Sequence, residues 1–197
     1  MDSERQALLA RLYRSGLAHD DAEPNRRLRF RNLEPDAALL LTIVLRAASA
    51  RRVVEIGTSN GYSAIWLADA VRDTGGQVST VDVEEWPELR ANLAEAAVVS
   101  FVDVIVADGG AYLASLPDGS VDLLFLDAER VEYPSWWPHP VRVLRPGAVL
   151  AIDNVLSHPD EVAPFLALLA RGGGFTGTTV PVGKGLYLAW RHSPVPA

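Results

Sequence analysis

The chain has 197 residues with 25 Asp and Glu against 18 Lys and Arg, a formal net charge of −7 that argues against nucleic acid or an anionic membrane as partner. Its length is that of one domain, 1–197, and the absence of cysteine excludes disulfides, thiol nucleophiles and Cys-ligated metal centres. The N-terminus lacks the basic-then-apolar pattern of a secretion signal, and no run of about 18 apolar residues occurs, so a cytoplasmic protein is expected.

Ser3, with Gln6 three residues on, resembles a capping box, and Leu8, Leu9, Leu12, Tyr13 and Leu17 follow at helical spacing. This predicts an amphipathic helix inside an N-terminal helical extension, 1–33. Residues 19–34 are polar and carry Arg26, Arg27, Arg29 and Arg31, which read as a solvated connector. Glu34-Pro35 then opens a helix running through Leu41 to Ala48.

From residue 52 short β-branched runs alternate with helix-length segments. Strands are predicted over 52–56, 77–83, 102–106, 121–126 and 148–152, and helices over 62–73, 87–97, 110–116 and 134–144. Near-continuous apolar strands alternating with helices indicate a parallel sheet covered on both faces. After a helix over 160–170, the runs 175–182 and 186–191 read as a hairpin around Gly183-Lys184-Gly185, so the sheet should end with an antiparallel strand.

In open parallel sheets, ligands bind beyond the carboxyl ends of the strands. Here all five parallel strands finish in or beside a carboxylate: Glu55, Asp82, Asp108, Asp127 and Asp153. After the first strand, Gly57 and Gly61 permit the positive φ that a loop wrapped against a ligand requires. Ser59 stands where a dinucleotide fingerprint needs its second glycine, so a pyrophosphate is not the expected guest. Asp82, 25 residues beyond Gly57, is placed to accept both hydroxyls of a ribose, with Val83 over a flat base and Asp108 receiving an exocyclic amine. Together these describe a nucleoside without a phosphate chain.

The segments EIGTSNGYS from Glu55 to Ser63, Val81-Asp82, LDAER from Leu126 to Arg130 with Tyr133-Pro134, and IDNVL from Ile152 to Leu156 carry a resemblance. In this order they resemble the motifs of S-adenosylmethionine-dependent O-methyltransferases of the catechol and caffeoyl-CoA group, over about residues 34–191. The resemblance implies a Rossmann-like α/β class I methyltransferase fold, its seven-stranded sheet in the order 3-2-1-4-5-7-6 with the last strand antiparallel. It also implies methyl transfer to a hydroxyl of a small, catechol-like molecule, and an association into homodimers.

By the same resemblance Glu55, Gly57, Thr58, Gly61, Tyr62, Ser63, Asp82, Val83, Asp108, Gly109 and Asp127 contact S-adenosylmethionine. Asp127, Asp153 and Asn154 become ligands of a divalent cation. Two carboxylates and an amide are hard donors, suited to Mg²⁺ first and to Mn²⁺ or Ca²⁺ as alternatives. Asp127 and Arg130 are the expected catalytic residues.

Arg130 departs from the pattern, because catechol-type members carry a lysine base there and a guanidinium stays protonated. Charge stabilisation of the acceptor oxygen is the role left to it; His158 and Lys184, the sole lysine, are candidates for the base. Trp136-Trp137 reads as an aromatic wall, a dimer contact or core. Two rival readings stand beside this one: a nucleoside-binding protein without metal-dependent catalysis, and a transferase, aminopropyl or methyl, with a different acceptor.

Overall fold

The computed structural model describes residues 1–193. Helix α1 spans Ser3–Ala22 and is capped by Asp2, whose carboxylate accepts from the Arg5 N–H at 2.8 Å. The cap is therefore Asp2, one residue before the expected Ser3. The helix also runs four residues into the predicted connector, which continues through a 3₁₀ turn at Arg26–Leu28. Leu8, Leu9 and Leu12 are buried in the core, so the extension is packed against the body.

A buried ion cluster fixes that packing. Arg5 donates to Asp69 at 2.6 Å and to the Ala96 carbonyl at 2.9 Å, and Arg46 donates to the other Asp69 oxygen at 3.0 Å. Removing one partner of a buried ion pair strands the other. Arg5→Ala is therefore expected to cost about 3 kcal/mol and to lower the thermal midpoint by several degrees in a melting experiment.

Helix α2, Pro35–Ala47, starts at Pro35 as expected. The sheet follows, with β1 Arg52–Ile56, β2 Gln77–Asp82, β3 Val102–Val106, β4 Val121–Leu126, β5 Leu144–Ile152, β6 Phe175–Val180 and β7 Leu186–Arg191. Its order is β3-β2-β1-β4-β5-β7-β6, with β7 antiparallel to both neighbours, as the resemblance implied. Helices α3 Tyr62–Arg72, α4 Leu89–Glu95, α5 Gly109–Ser115, α6 His139–Arg142 and α7 Pro159–Gly172 complete the chain, and two apolar clusters cover the two faces of the sheet. Among the described residues no helix is long and apolar enough to cross a membrane.

The clearest departure lies between β4 and β5. The single helix expected over 134–144 is a 3₁₀ segment, Arg130–Trp136, followed by the four-residue α6. Pro134, Pro138 and Pro140 each remove a backbone donor, so no continuous i→i−4 ladder can form. Strand β5 accordingly begins at Leu144, earlier than predicted, with a register irregularity opposite Val121 to Leu123.

Candidate active site

Loop 57–61 joins β1 to α3 and forms the floor of the rim. Gly57 has φ +108, and a Cβ there would lie 2.2 Å from the Asp127 carbonyl oxygen. Only glycine lets the ends of β1 and β4 approach so closely. Gly57→Ala is expected to unfold a large fraction of the protein at 37 °C and to abolish nucleoside binding in what stays folded, measurable by thermal melting and calorimetry.

Asp82 ties this loop down. One carboxylate oxygen accepts from Thr58 N–H at 3.0 Å and Ser59 N–H at 2.9 Å; the other accepts from Val83 N–H at 2.8 Å. The first oxygen has both lone-pair directions filled, so Oδ1 keeps the free acceptor position. The expectation that Asp82 takes two ribose hydroxyls at once thus narrows to this oxygen. Val83, just past β2, is 69% exposed and available to cover a base. Asp108 caps α5 by accepting from Ala111 N–H at 2.7 Å through Oδ1. Gly109 and Gly110 let the Trp136 indole lie against the backbone, within 3.2 Å and 2.4 Å of where a Cβ would stand.

Glu55 is fully buried in β1. Its Oε2 accepts from the Thr80 hydroxyl at 2.5 Å, Thr80 in turn lies 2.7 Å from the Thr58 hydroxyl, and Oε1 has no partner. Burial pushes its carboxyl up to about 7, against the opposing hydroxyls of Ser63 and Thr80. An unpartnered buried carboxylate oxygen at a ligand rim is a seat for a cationic group.

The ends of β4 and β5 bring three side chains together. Asn154 donates its amide N–H to Asp127 Oδ1 at 3.2 Å and to Asp153 Oδ2 at 2.7 Å. Its backbone φ of +66 is left-handed, a conformation asparagine tolerates better than most residues, and aims the amide back at the carboxylates. Asp153 Oδ1 is buried without a partner. Burial, then Asp153 and Glu55, hold Asp127 well above the usual carboxylate range; Asp153 is pushed up to about 7, chiefly by burial and further by Glu34.

The sequence profile of the O-methyltransferase family matches residues 8–164. The chain belongs to that family. A stretch of 120 residues is 38% identical to the catechol O-methyltransferase of Mycobacterium tuberculosis and covers 59% of this chain; it spans 53%, about half, of that relative's length. A relative from the same family in Mycobacteroides abscessus is 33% identical over 172 residues, 80% of each chain. Among solved structures, the O-methyltransferase TomG from Streptomyces achromogenes, in complex with S-adenosylmethionine, superposes with a TM-score of 0.74 at 27% identity, over 98% of this chain and 91% of that one. The O-methyltransferase from Bacillus cereus, at 23% identity, shares the fold with a TM-score of 0.77 over 94% and 90% of the two chains.

As a member of this family the enzyme is an S-adenosylmethionine-dependent methyltransferase. Its Arg130 is buried, and Nε donates to Glu161 Oε2 at 2.8 Å. Nη2 lies 2.8 Å from the same oxygen without hydrogen-bond alignment, which leaves one buried donor uncommitted. Lys184 reaches from the β6–β7 hairpin to Glu34 at 2.8 Å. Burial works against its charge, but the Glu34 carboxylate, with Asp153 and Asp127 behind it, raises its pKa. A lysine held charged is not a base, so the structure withdraws that candidacy. His158 is lowered by burial and by Arg130. Trp136 is buried against Tyr133 and the glycine pair, and Trp137 meets Phe165, so core packing accounts for both.

The sequence reading missed the part played by residues 20–34. Phe30 O accepts from the Ser59 hydroxyl at 2.9 Å, Arg31 pairs with Glu129 at 3.0 Å, and Asp20 receives the N–H groups of Phe30 and Arg31 at 2.7 and 2.8 Å. The connector is strapped across the rim. Glu34, read only as a helix opener, pairs with Lys184 and acts on Asp153; no local pattern distinguishes the two uses.

Proposed function

We propose that the methyltransferase moves the methyl group of S-adenosylmethionine to one hydroxyl of a small acceptor with two neighbouring oxygens, catechol-like, beside a divalent cation held by Asp127, Asp153 and Asn154. The observation that carries this reading is the joining of Asp127 and Asp153 through one amide while Asp153 Oδ1 is buried without a partner. Two buried carboxylates this close are stable as anions only with positive charge between them. Among the described residues no three His, Cys, Asp or Glu side chains form a metal cluster; the donor set is two carboxylates and the Asn154 amide oxygen, presented by a half-turn of the amide. Those donors suit Mg²⁺, with Mn²⁺ or Ca²⁺ as alternatives. Held by these residues, such a cation would supply Lewis-acid chemistry, favouring ionisation of an acceptor hydroxyl.

The chain's own residues do the rest by positioning. Glu55 Oε1 receives the methionine ammonium, and the N-terminus of α3, with Ser63, faces the methionine carboxylate. Asp82 Oδ1 takes a ribose hydroxyl, Val83 covers the adenine, and Asp108 accepts its exocyclic amine. Arg130 cannot accept a proton; its uncommitted Nη2 supplies charge to the developing acceptor anion. The proton leaves to solvent at the rim.

Arg130→Met is expected to reduce turnover about tenfold and Arg130→Lys to retain most of it; unchanged turnover in both removes the charge role. The reading as a whole is tested with catechol and phenol, each with Mg²⁺ or with EDTA. Methylation of catechol alone, lost in EDTA and restored by Mg²⁺, is expected, and full activity in EDTA contradicts it. The same reading takes the protein as a cytoplasmic homodimer, which light scattering tests as twice the chain mass.

A further inference from the structure

The cations around the rim are not equivalent. Arg31 is paired with Glu129 at 3.0 Å, Arg130 with Glu161 at 2.8 Å and Lys184 with Glu34 at 2.8 Å. Arg26, in the 3₁₀ turn of the strap, makes no ion pair among the described residues; its contact is to an imidazole, Nη2 to His158 Nε2 at 3.4 Å. Since the guanidinium only donates, His158 accepts at Nε2 and its Nδ1–H faces the Ser157 hydroxyl at 2.9 Å. Ser157 in turn donates to the Asn154 carbonyl at 3.2 Å. Arg26 is thus linked by three hydrogen bonds to a residue of the proposed cation site, and its other donors are uncommitted.

Exposed apolar side chains neighbour both residues in the chain. Leu28, two residues from Arg26, is 47% exposed, and Leu156, two residues from His158, is 55% exposed. The His158 N–H donates to the Asn154 carbonyl at 3.0 Å, so His158 sits one turn of chain from Asn154 and holds Arg26 on that side of the site.

From these observations we infer that the acceptor carries a carboxylate on the side of its ring away from the two hydroxyls, and that Arg26, steadied by His158, receives it. A guanidinium and a carboxylate form a charge-assisted, bidentate pair that neither imidazole nor water replaces. Arg26 is then a specificity-determining residue for the acceptor. The inference rests on the chelating-acceptor reading of the site.

The test uses two acceptors of one shape, 3,4-dihydroxybenzoate and 3,4-dihydroxybenzamide, on the parent enzyme and on Arg26→Gln and Arg26→Lys. The ratio of their kcat/KM values, compared between enzymes, cancels the intrinsic reactivity of each ring. The parent is expected to favour the benzoate by about tenfold or more, chiefly through KM, with the preference weakening as salt is added. Arg26→Gln should lower that ratio about tenfold, and Arg26→Lys, which keeps the charge but not the planar fork, should keep only part of it. Calorimetry of the benzoate with the S-adenosylhomocysteine complex should show the same loss in Arg26→Gln. A ratio that Arg26→Gln leaves unchanged overturns the inference and leaves the chelating-acceptor reading standing. Failure of the parent to methylate either compound overturns both.

Discussion

Asp153→Asn is expected to lower methyl transfer to a catechol by about a hundredfold to a thousandfold while leaving affinity for S-adenosylhomocysteine within about threefold of the parent. The substitution keeps the shape of the side chain and removes one anion from a site where Asp127 and Asp153 repel each other. It therefore does not endanger folding; the metal-free variant should melt no lower than the parent at pH 8. That combination separates loss of the cation from loss of the fold. Substrate kinetics, calorimetry and a thermal melt on one preparation measure all three. Parent-level turnover in Asp153→Asn would mean that Asp153 only shapes the end of β5.

Glu55→Gln is expected to act on the other half of the site, weakening nucleoside binding while raising stability. The carboxyl titrates near 4.5 when exposed and is pushed up to about 7 in the fold, because burial opposes its charge more than Ser63 and Thr80 support it. Between those two values the folded state binds more protons than the unfolded one, so this group's contribution falls as pH rises and the loss is complete above about pH 7. The difference is on the order of 3 kcal/mol. Glu55→Gln should therefore melt several degrees higher than the parent at pH 8 and no higher at pH 4. Its affinity for S-adenosylhomocysteine should fall about tenfold to a hundredfold, since a neutral amide leaves the methionine ammonium without a counter-charge. A variant that binds the nucleoside as well as the parent assigns Glu55 to the core alone.

The acidic rim was legible because parallel strands bury long apolar runs, so a carboxylate at the end of each run stands out from the sequence. Glu55, Asp82, Asp108, Asp127 and Asp153 all fall on the β-strand ends of one sheet edge. The sheet order came with the motif resemblance; periodicity alone does not fix how strands are arranged. What was not legible depends on long-range partners. Nothing local marks Glu161 as the partner of Arg130, 31 residues away, or Lys184 as the partner of Glu34. Likewise the amides that fill Asp82 Oδ2 come from a loop more than 20 residues earlier. The proline-rich segment after β4 misled the helix prediction for a different reason: its apolar spacing fits a helix, but its missing donors do not.

The most direct test of the account is a titration of the S-adenosylhomocysteine complex with Mn²⁺, followed by electron paramagnetic resonance. The account predicts one bound ion per chain, displaced by Mg²⁺ and absent from Asp153→Asn. A parent protein that leaves all the manganese free in solution, or a variant that binds it as tightly, would contradict it.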